Sequence, residues 1–254
     1  MCKVTIGGVG LEYERIEPAS AADRTIILLH EGLGSVGMWK DFPVSLAAAT
    51  KCAVVSYSRR GYGRSDPLDA PRSMRYMHDE ALIVLPELLD ELGIAEPVLF
   101  GHSDGASIAL IHAGGSSRPV AGIVAMAPHV MVEEISVASI AEARNSYRAT
   151  DLRTRLARYH RDVDGAFWGW NDVWLSRKFR AWSIEEYLPR ITCPILAIQG
   201  EDDEYGTMEQ VERIARSVPG TRVVKLRTCG HSPHRDQPAI VLDEAASWIG
   251  GLRR

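Results

Sequence analysis

The chain has 254 residues, 46% of them hydrophobic and 24% charged, with a formal net charge of -4. This is an ordinary globular composition, long enough to bury a substantial core, commonly as one domain in α/β proteins, and it excludes collagen-like and disordered classes. Nucleic acid is not expected as a partner, because Lys and Arg form no long run and the densest basic patch, "SRRGYGRS", is broken by the glycines of a turn. Cys2, Cys52, Cys193 and Cys229 form no C-x-x-C pair and have no zinc-finger spacing, so reduced thiols in a cytoplasmic protein are expected. "MCKVTIGGVGLEYERIEP" lacks the apolar run of a signal peptide and no segment approaches ~18 apolar residues, so neither a cleaved leader nor a membrane span is expected.

In chain order, "KVTIGGVGLEYERI" (3–16) reads as an antiparallel hairpin turning around Gly7 to Gly10. Short apolar runs then recur: "TIILLH" (25–30), "CAVVSYS" (52–58), "PVLFGHS" (97–103), "VAGIVAMAP" (120–128), "PILAIQG" (194–200) and "RVVKLRT" (222–228). Near-continuous apolar strands are what a parallel sheet covered on both faces requires. Between them, Ala81, Leu82, Leu85, Leu88, Leu89 and Leu92 recur at helical spacing in 77–94, with Gly93 as a stop, and "DEAASWIGGLRR" (243–254) closes the chain as a helix. Alternating strands and helices predict an α/β fold with a mainly parallel sheet. From about 129 to 189 the alternation stops: the composition turns helical, and "GAFWGWNDVWLSRKFRAW" holds four of the six tryptophans. Trp168, Trp170 and Trp174, with Trp182, either roof a pocket or fill the core of a small helical unit.

The stretch "VLFGHSDGASIAL" (98–110) places Ser103 between Gly101 and Gly105 where a strand gives way to a small-residue helix. That G-x-S-x-G pattern in a strand, turn and helix setting is a nucleophile elbow. A serine hydroxyl needs an adjacent base, itself oriented by a carboxylate. Acids follow a later strand in "AIQGEDDEYGT", and His231 follows the last one in "LRTCGHSPHRDQP", both at strand ends where open α/β sheets bind ligands.

With these residues in place, the chain resembles the α/β-hydrolase family over almost its full length, through "LLHEGLGSVGMW", "SRRGYGRSDP", "GHSDG", "IQGEDD" and "CGHSPHRDQP" in family order. The resemblance implies a sheet of about eight strands with helices on both faces, a core of 1–128 and 190–254, and a helical cap at 129–189. It implies Ser103 as nucleophile, His231 as general base and then acid, and Asp203 as the orienting carboxylate, three residues after Gly200, with Asp202 and Glu201 as neighbouring candidates. His234 rivals His231, but the family's histidine directly follows a glycine, as His231 does. Oxyanion donors are expected at the backbone N–H of Asp104 and of Gly32; Glu31, after His30, departs from the family's usual His-Gly pair. His30, Ser35, Arg59, Arg60 and Arg64 read as bracing residues.

Haloalkane dehalogenases and epoxide hydrolases, which share the resemblance, use an aspartate at the centre of the elbow. Here the centre is Ser103, and Asp104 stands one residue into the helix, where its carboxylate suits the helix N-terminus. Glu31 and Asp104 flank the expected oxyanion site, which predicts discrimination against strongly anionic acyl groups. The expected function is a serine esterase or lactonase acting through an acyl-enzyme on a small hydrophobic or aromatic substrate; carbon–carbon bond hydrolysis, thioester hydrolysis and ligand reception in the same pocket are the alternatives. No cofactor or metal is expected, and a homodimer is compatible with the sequence.

Overall fold

A computed structural model of the chain describes residues 2–19 and 24–252, so the last two residues of the expected closing helix, Arg253 and Arg254, lie outside the described residues. Strands β1 (Cys2–Ile6) and β2 (Val9–Ile16) pair antiparallel, joined through Gly7 and Gly8 at φ 53° and 80°. Positive φ at both turn positions matches the right-handed twist of the strands, which is why glycine occupies them. The rest of the sheet is β3 (Thr25–Leu29), β4 (Ala53–Tyr57), β5 (Val98–His102), β6 (Gly122–Met126), β7 (Ile195–Gly200) and β8 (Arg222–Leu226). The order is β1-β2-β4-β3-β5-β6-β7-β8; β2 meets β4 antiparallel and every later pairing is parallel.

Strands β4 to β7 are buried along their whole length, as covering both faces demands. Alternate residues feed two cores. Ile27, Leu29, Leu99, Ile123 and Ala197 pack on one face with the helix Asp104–Gly115, the helical stretch that begins at Tyr76, and the segment between β6 and β7. Ile26, Leu28, Phe100, Val124 and Ile198 pack on the other against the helices Phe42–Thr50 and Pro238–Gly250. The sheet is therefore the middle of three layers, and its strand ends carry the loops that matter below.

Two elements differ from the sequence reading. The helix expected over 77–94 is α-helical at Tyr76–Asp79, widens to a π turn at Glu80–Val84 and resumes at Leu85–Glu91. Pro86 has no N–H to donate and its ring crowds the preceding turn, which favours the wider register; His112 Nδ1 meets the carbonyl of Ala81 at 2.7 Å. The closing helix starts at Pro238, earlier than the expected 243, because proline suits the first helical turn. Between β6 and β7 lie the helices Glu134–Ala149, Leu152–Leu156 and Val163–Trp174, with one isolated bridge between Met131 and Ser183. Among the described residues, no helix is long and apolar enough to cross a membrane.

Candidate active site

The turn after β5 is strained. Ser103 has φ 54° and ψ -119°, a region few side chains occupy, and its N–H donates to Met126 O at 2.9 Å. The flanking glycines are demanded by contact: a Cβ on Gly101 would sit 2.3 Å from Gly105 O, and one on Gly105 would sit 2.0 Å from Leu29 O. The strand, the turn and the helix approach so closely that the Ser103 hydroxyl is thrown to the end of the sheet, where the loops after β7 and β8 converge on it.

His231 Nε2 lies 2.9 Å from Ser103 Oγ, and His231 Nδ1 lies 2.9 and 3.0 Å from the two oxygens of Asp203. The partners assign the proton to Nδ1, leaving Nε2 free to accept from the serine. Asp203 is buried, while Asp202 and Glu201 are exposed, so the structure brings one of the three adjacent acids to the histidine. Asp203 also accepts from Gln199 Nε2 at 2.6 Å and from the N–H of Tyr205 at 2.8 Å and of Gly206 at 3.2 Å. Burial opposes its ionisation, yet the hydrogen bond and charge of His231 and the Tyr205 N–H hold its pKa below the usual carboxylate value. The His231 main chain is held as firmly: its N–H donates to Glu204 Oε2 at 3.2 Å and its carbonyl accepts from His102 Nε2 at 2.7 Å.

Gly32 and Asp104 both line the cavity at Ser103. Asp104 opens the helix Asp104–Gly115, so its N–H is one of those a helix leaves without an intrahelical acceptor. A Cβ on Gly32 would fall 2.2 Å from Trp170 Nε1, so the wall of the cavity reaches the Gly32 backbone itself.

The two carboxylates flanking this place are both compensated, which removes the basis for the expected discrimination against anionic acyl groups. Asp104 turns its side chain into the protein, where Oδ2 accepts from Tyr76 OH at 2.5 Å and lies 3.9 Å from Arg59 Nη2; burial raises its pKa despite Arg59. Glu31 lies 3.3 Å from Arg235 Nη2 and 3.5 Å from His102 Nδ1. Burial alone would raise the Glu31 pKa, but the His102 hydrogen bond and charge, with Arg235, hold it well below the ordinary range. His30 braces the loop as expected, accepting from Arg59 N at Nε2 and meeting the Glu31 carbonyl through Nδ1. Arg59 is buried; the Arg60 side chain secures the turn by donating Nε to Pro67 O, whereas at Arg64 it is the main-chain N–H, not the guanidinium, that donates to Glu12 Oε2. Ser35 is buried without a hydrogen-bond partner for its hydroxyl among the described residues.

The cavity has a volume of about 260 Å³, with apolar walls of Leu33, Met38, Ile140, Leu156, Trp170 and Trp174 and polar groups from Glu31, His129, Glu204, Tyr205 and Arg235. The tryptophans divide. Trp170 and Trp174 line it; Trp168 instead lines a separate recess of about 480 Å³ with Leu68 and Arg72, and Arg148 lies over its ring. Helix geometry explains this, since residues four apart share a face and Trp168 is turned about 200° from Trp170. Trp182 is buried against Phe179, in the packing role. His234, the rival to His231, is buried behind it among Trp39, Phe42 and His102.

Sequence reasoning did not find His129, Tyr205, Met38 or Arg235. His129 stands three residues after β6, a position past a strand end that carried the signal; its ring packs edge-on to Trp174 at 4.9 Å, and burial and the His231 charge lower its pKa to about 3. Tyr205, two residues past Asp203, lays its ring 4.7 Å from that of His231. Among the described residues no group of three or more His, Cys, Asp or Glu is placed to hold a metal ion.

A family model described as the alpha/beta hydrolase family matches residues 26–244. The chain belongs to the α/β-hydrolase family. It is 30% identical over 253 residues to RutD of Pseudomonas savastanoi pv. phaseolicola, a protein provisionally named a carbamate hydrolase, with 89% of this chain and 94% of that one covered. It is 27% identical over 243 residues to the human serine hydrolase BPHL, covering 91% of this chain and 80% of the relative. The enol-lactonase of Burkholderia xenovorans LB400 shares the fold of this hydrolase, with a TM-score of 0.77 at 19% identity over 98% of this chain and all of that one.

Proposed function

We propose that this hydrolase cleaves a carboxylic ester or lactone of a small apolar or aromatic substrate through an acyl-enzyme on Ser103. One observation carries the reading: the hydrogen-bonded chain from Ser103 Oγ through His231 to Asp203, on a strained turn at the mouth of a cavity. Ser103 Oγ attacks the carbonyl carbon as its proton passes to His231 Nε2, and the N–H groups of Gly32 and Asp104 receive the oxyanion. His231 returns the proton to the leaving oxygen; it then takes a proton from a water that attacks the acyl carbon, and passes that proton to Ser103 Oγ as the acyl C–Oγ bond breaks and the acid departs. Asp203 stays ionised and balances the imidazolium. A volume of about 260 Å³ favours a small substrate, below the ~300 to 1,000 Å³ common for drug-sized ligands, and the apolar walls favour a hydrocarbon or aromatic group.

In this reading residues 129–189 act as a cap over the 1–128 and 190–254 core, with Trp170 and Trp174 as its contribution to the pocket. Cys2, Cys193 and Cys229 are free thiols, which fits the cytoplasmic setting that belongs to the same proposal. A second reading, carbamate hydrolysis, draws on the name of the RutD relative and uses the same residues, since a carbamate presents the same carbonyl to Ser103.

Incubation with a fluorophosphonate and with nitrophenyl esters of graded acyl length, beside a nitrophenyl carbamate and the Ser103→Ala variant, tests both. Labelling at Ser103 with turnover greatest for short or aromatic acyl groups supports the esterase; turnover of the carbamate alone favours the second reading. A wild type neither labelled nor active turns the pocket into a receptor, and full activity in Ser103→Ala removes the site assignment.

A further inference from the structure

The polar groups behind the cavity form one buried chain that none of the proposed steps uses. Trp174 Nε1 donates to Tyr76 OH at 3.0 Å; Tyr76 OH donates to Asp104 Oδ2 at 2.5 Å; Arg59 Nη2 lies 3.9 Å from that same oxygen. Arg59 continues the chain, giving Nη1 to His30 O at 2.6 Å and Nη2 to Glu31 O at 3.0 Å. All of these side chains are buried, and a buried guanidinium and a buried carboxylate are costly unless each is held by partners. Such an arrangement over-determines whatever it touches, and it touches the backbone on both sides of the oxyanion site.

The Glu31 carbonyl and the Gly32 N–H belong to one trans peptide and point in opposite directions. That carbonyl is pinned on its inner side by three donors: Arg59 Nη2, His30 Nδ1 at 2.7 Å and Gly34 N at 3.0 Å. With the carbonyl held inward, the Gly32 N–H is held outward, in a residue that lines the cavity. The other donor is the N–H of Asp104, whose own side chain is tied to Tyr76 and Arg59. One end of the chain thus grips one donor peptide, its middle grips the residue that carries the second, and its far end is Trp174, a wall of the pocket.

We propose that Trp174, Tyr76, Asp104 and Arg59 form a positioning device that holds the Gly32 and Asp104 N–H groups at the oxyanion and couples them to the pocket wall. The inference rests on the serine hydrolase reading. It gives Asp104 a role that its place in the elbow does not reveal: its backbone donates to the reacting oxygen, and its carboxylate is the buried counter-charge for the arginine that aims the opposite donor. None of the four side chains exchanges a proton with substrate. Loosening the device is therefore expected to weaken the transition state more than the bound ground state.

Tyr76→Phe and Asp104→Asn, each nearly isosteric, test this with nitrophenyl acetate as substrate and a trifluoromethyl ketone as the tetrahedral probe. The expected result is a fall in kcat of about tenfold or more with KM within about twofold, and a parallel loss of affinity for the ketone. Arg59→Lys should restore part of what Arg59→Ala loses. Tyr147→Phe is the control: it deletes an equivalent tyrosine-to-carboxylate bond, Tyr147 OH to Asp164 Oδ1 at 2.6 Å, in the segment between β6 and β7, and is expected to leave kcat unchanged. Unchanged kcat and ketone affinity in folded Tyr76→Phe, or the same fall in kcat in Tyr147→Phe, overturns the device while Ser103 labelling keeps the serine hydrolase reading. Absence of Ser103 labelling in the wild type overturns both.

Discussion

The elbow at Ser103 and the helix Val163–Trp174 face the same cavity, yet they are built in opposite ways. In the elbow the residue types are dictated by main-chain contact, Gly101 by Gly105 O four positions on and Gly105 by Leu29 O of the neighbouring strand, and Ser103 by a turn that throws its hydroxyl out of the sheet. In the helix, three tryptophans of one type within seven residues take different places, because only packing against the rest of the chain decides which face meets the cavity. A backbone constraint leaves a glycine that can be read in the sequence, whether its cause is near or far along the chain; the use of a large side chain leaves no such mark.

The largest test of this contrast lies in the elbow. Ser103→Ala is expected to lower kcat/KM by about 10⁴-fold or more, and Asp203→Asn by a similar factor, whereas exposed Asp202→Asn should stay within about twofold, measured with nitrophenyl esters. Loss in the Asp202 variant would reassign the acid. In the helix, Trp174→Ala is expected to cost about 3 to 5 kcal/mol of stability, read by denaturant unfolding, because it empties a fully buried site. Trp168→Ala, which gives up half-buried contacts with Arg148, Tyr147 and Phe167, should cost less than Trp174→Ala, about 1 to 2 kcal/mol, and leave KM unchanged. Equal effects on KM for Trp168 and Trp170 variants would erase the division of the tryptophans.

Next comes the backbone. Gly105→Ala drives a Cβ onto Leu29 O, an atom of β3 with no room to retreat, and is expected to destabilise by about 3 kcal/mol, seen as a lowered Tm or insoluble protein.

The smallest effect concerns acid. Burial lowers the pKa of His129 to about 3 and, with the charge of His102, that of His234 to about 2, against an ordinary histidine value of 6.5. The unfolded chain therefore binds protons as pH falls through 6.5 while the folded one does not, so stability present above 6.5 is lost progressively below it. For one such histidine the loss at pH 5.5 is about 1 kcal/mol. His234→Phe, which keeps an aromatic ring between Trp39 and Phe42, should lose less Tm than the wild type between pH 7.5 and 5.5. Asp203 contributes in a lower window: its folded pKa is depressed, so its stabilisation is complete above the ordinary value of 3.8 and fades as pH falls below that. An unchanged pH slope in His234→Phe would mean that its ring finds a proton partner in the folded protein.

Much of the fold was legible because strands buried on both faces must be apolar, as the runs at β3 to β7 are, while the run at β8, on the sheet edge, is only partly buried. The π turn at Glu80–Val84 was not, since heptad-like leucine spacing says nothing of how Pro86 shifts the hydrogen bonds behind it. At the site, the order of Ser103, Asp203 and His231 followed from strand ends. The choice among Glu201, Asp202 and Asp203, and the presence of His129, Tyr205 and Arg235, depended on which side chains the loops turn inward.

By itself, the sequence determined the alternation of strand and helix, the strained turn at Ser103 and the position of His231 after the last strand, because glycine spacing and apolar runs act over a few residues. Tertiary structure alone decided that the Asp104 carboxylate meets Tyr76 and Arg59, that Glu31 is balanced by Arg235 and His102, and that Trp170 and Trp174 wall the cavity while Trp168 does not. The reason is physical: a charge drawn out of water, fully as at Asp104 or in part as at Glu31, takes whatever counter-charge the fold brings within reach, and those partners lie up to 204 residues away along the chain.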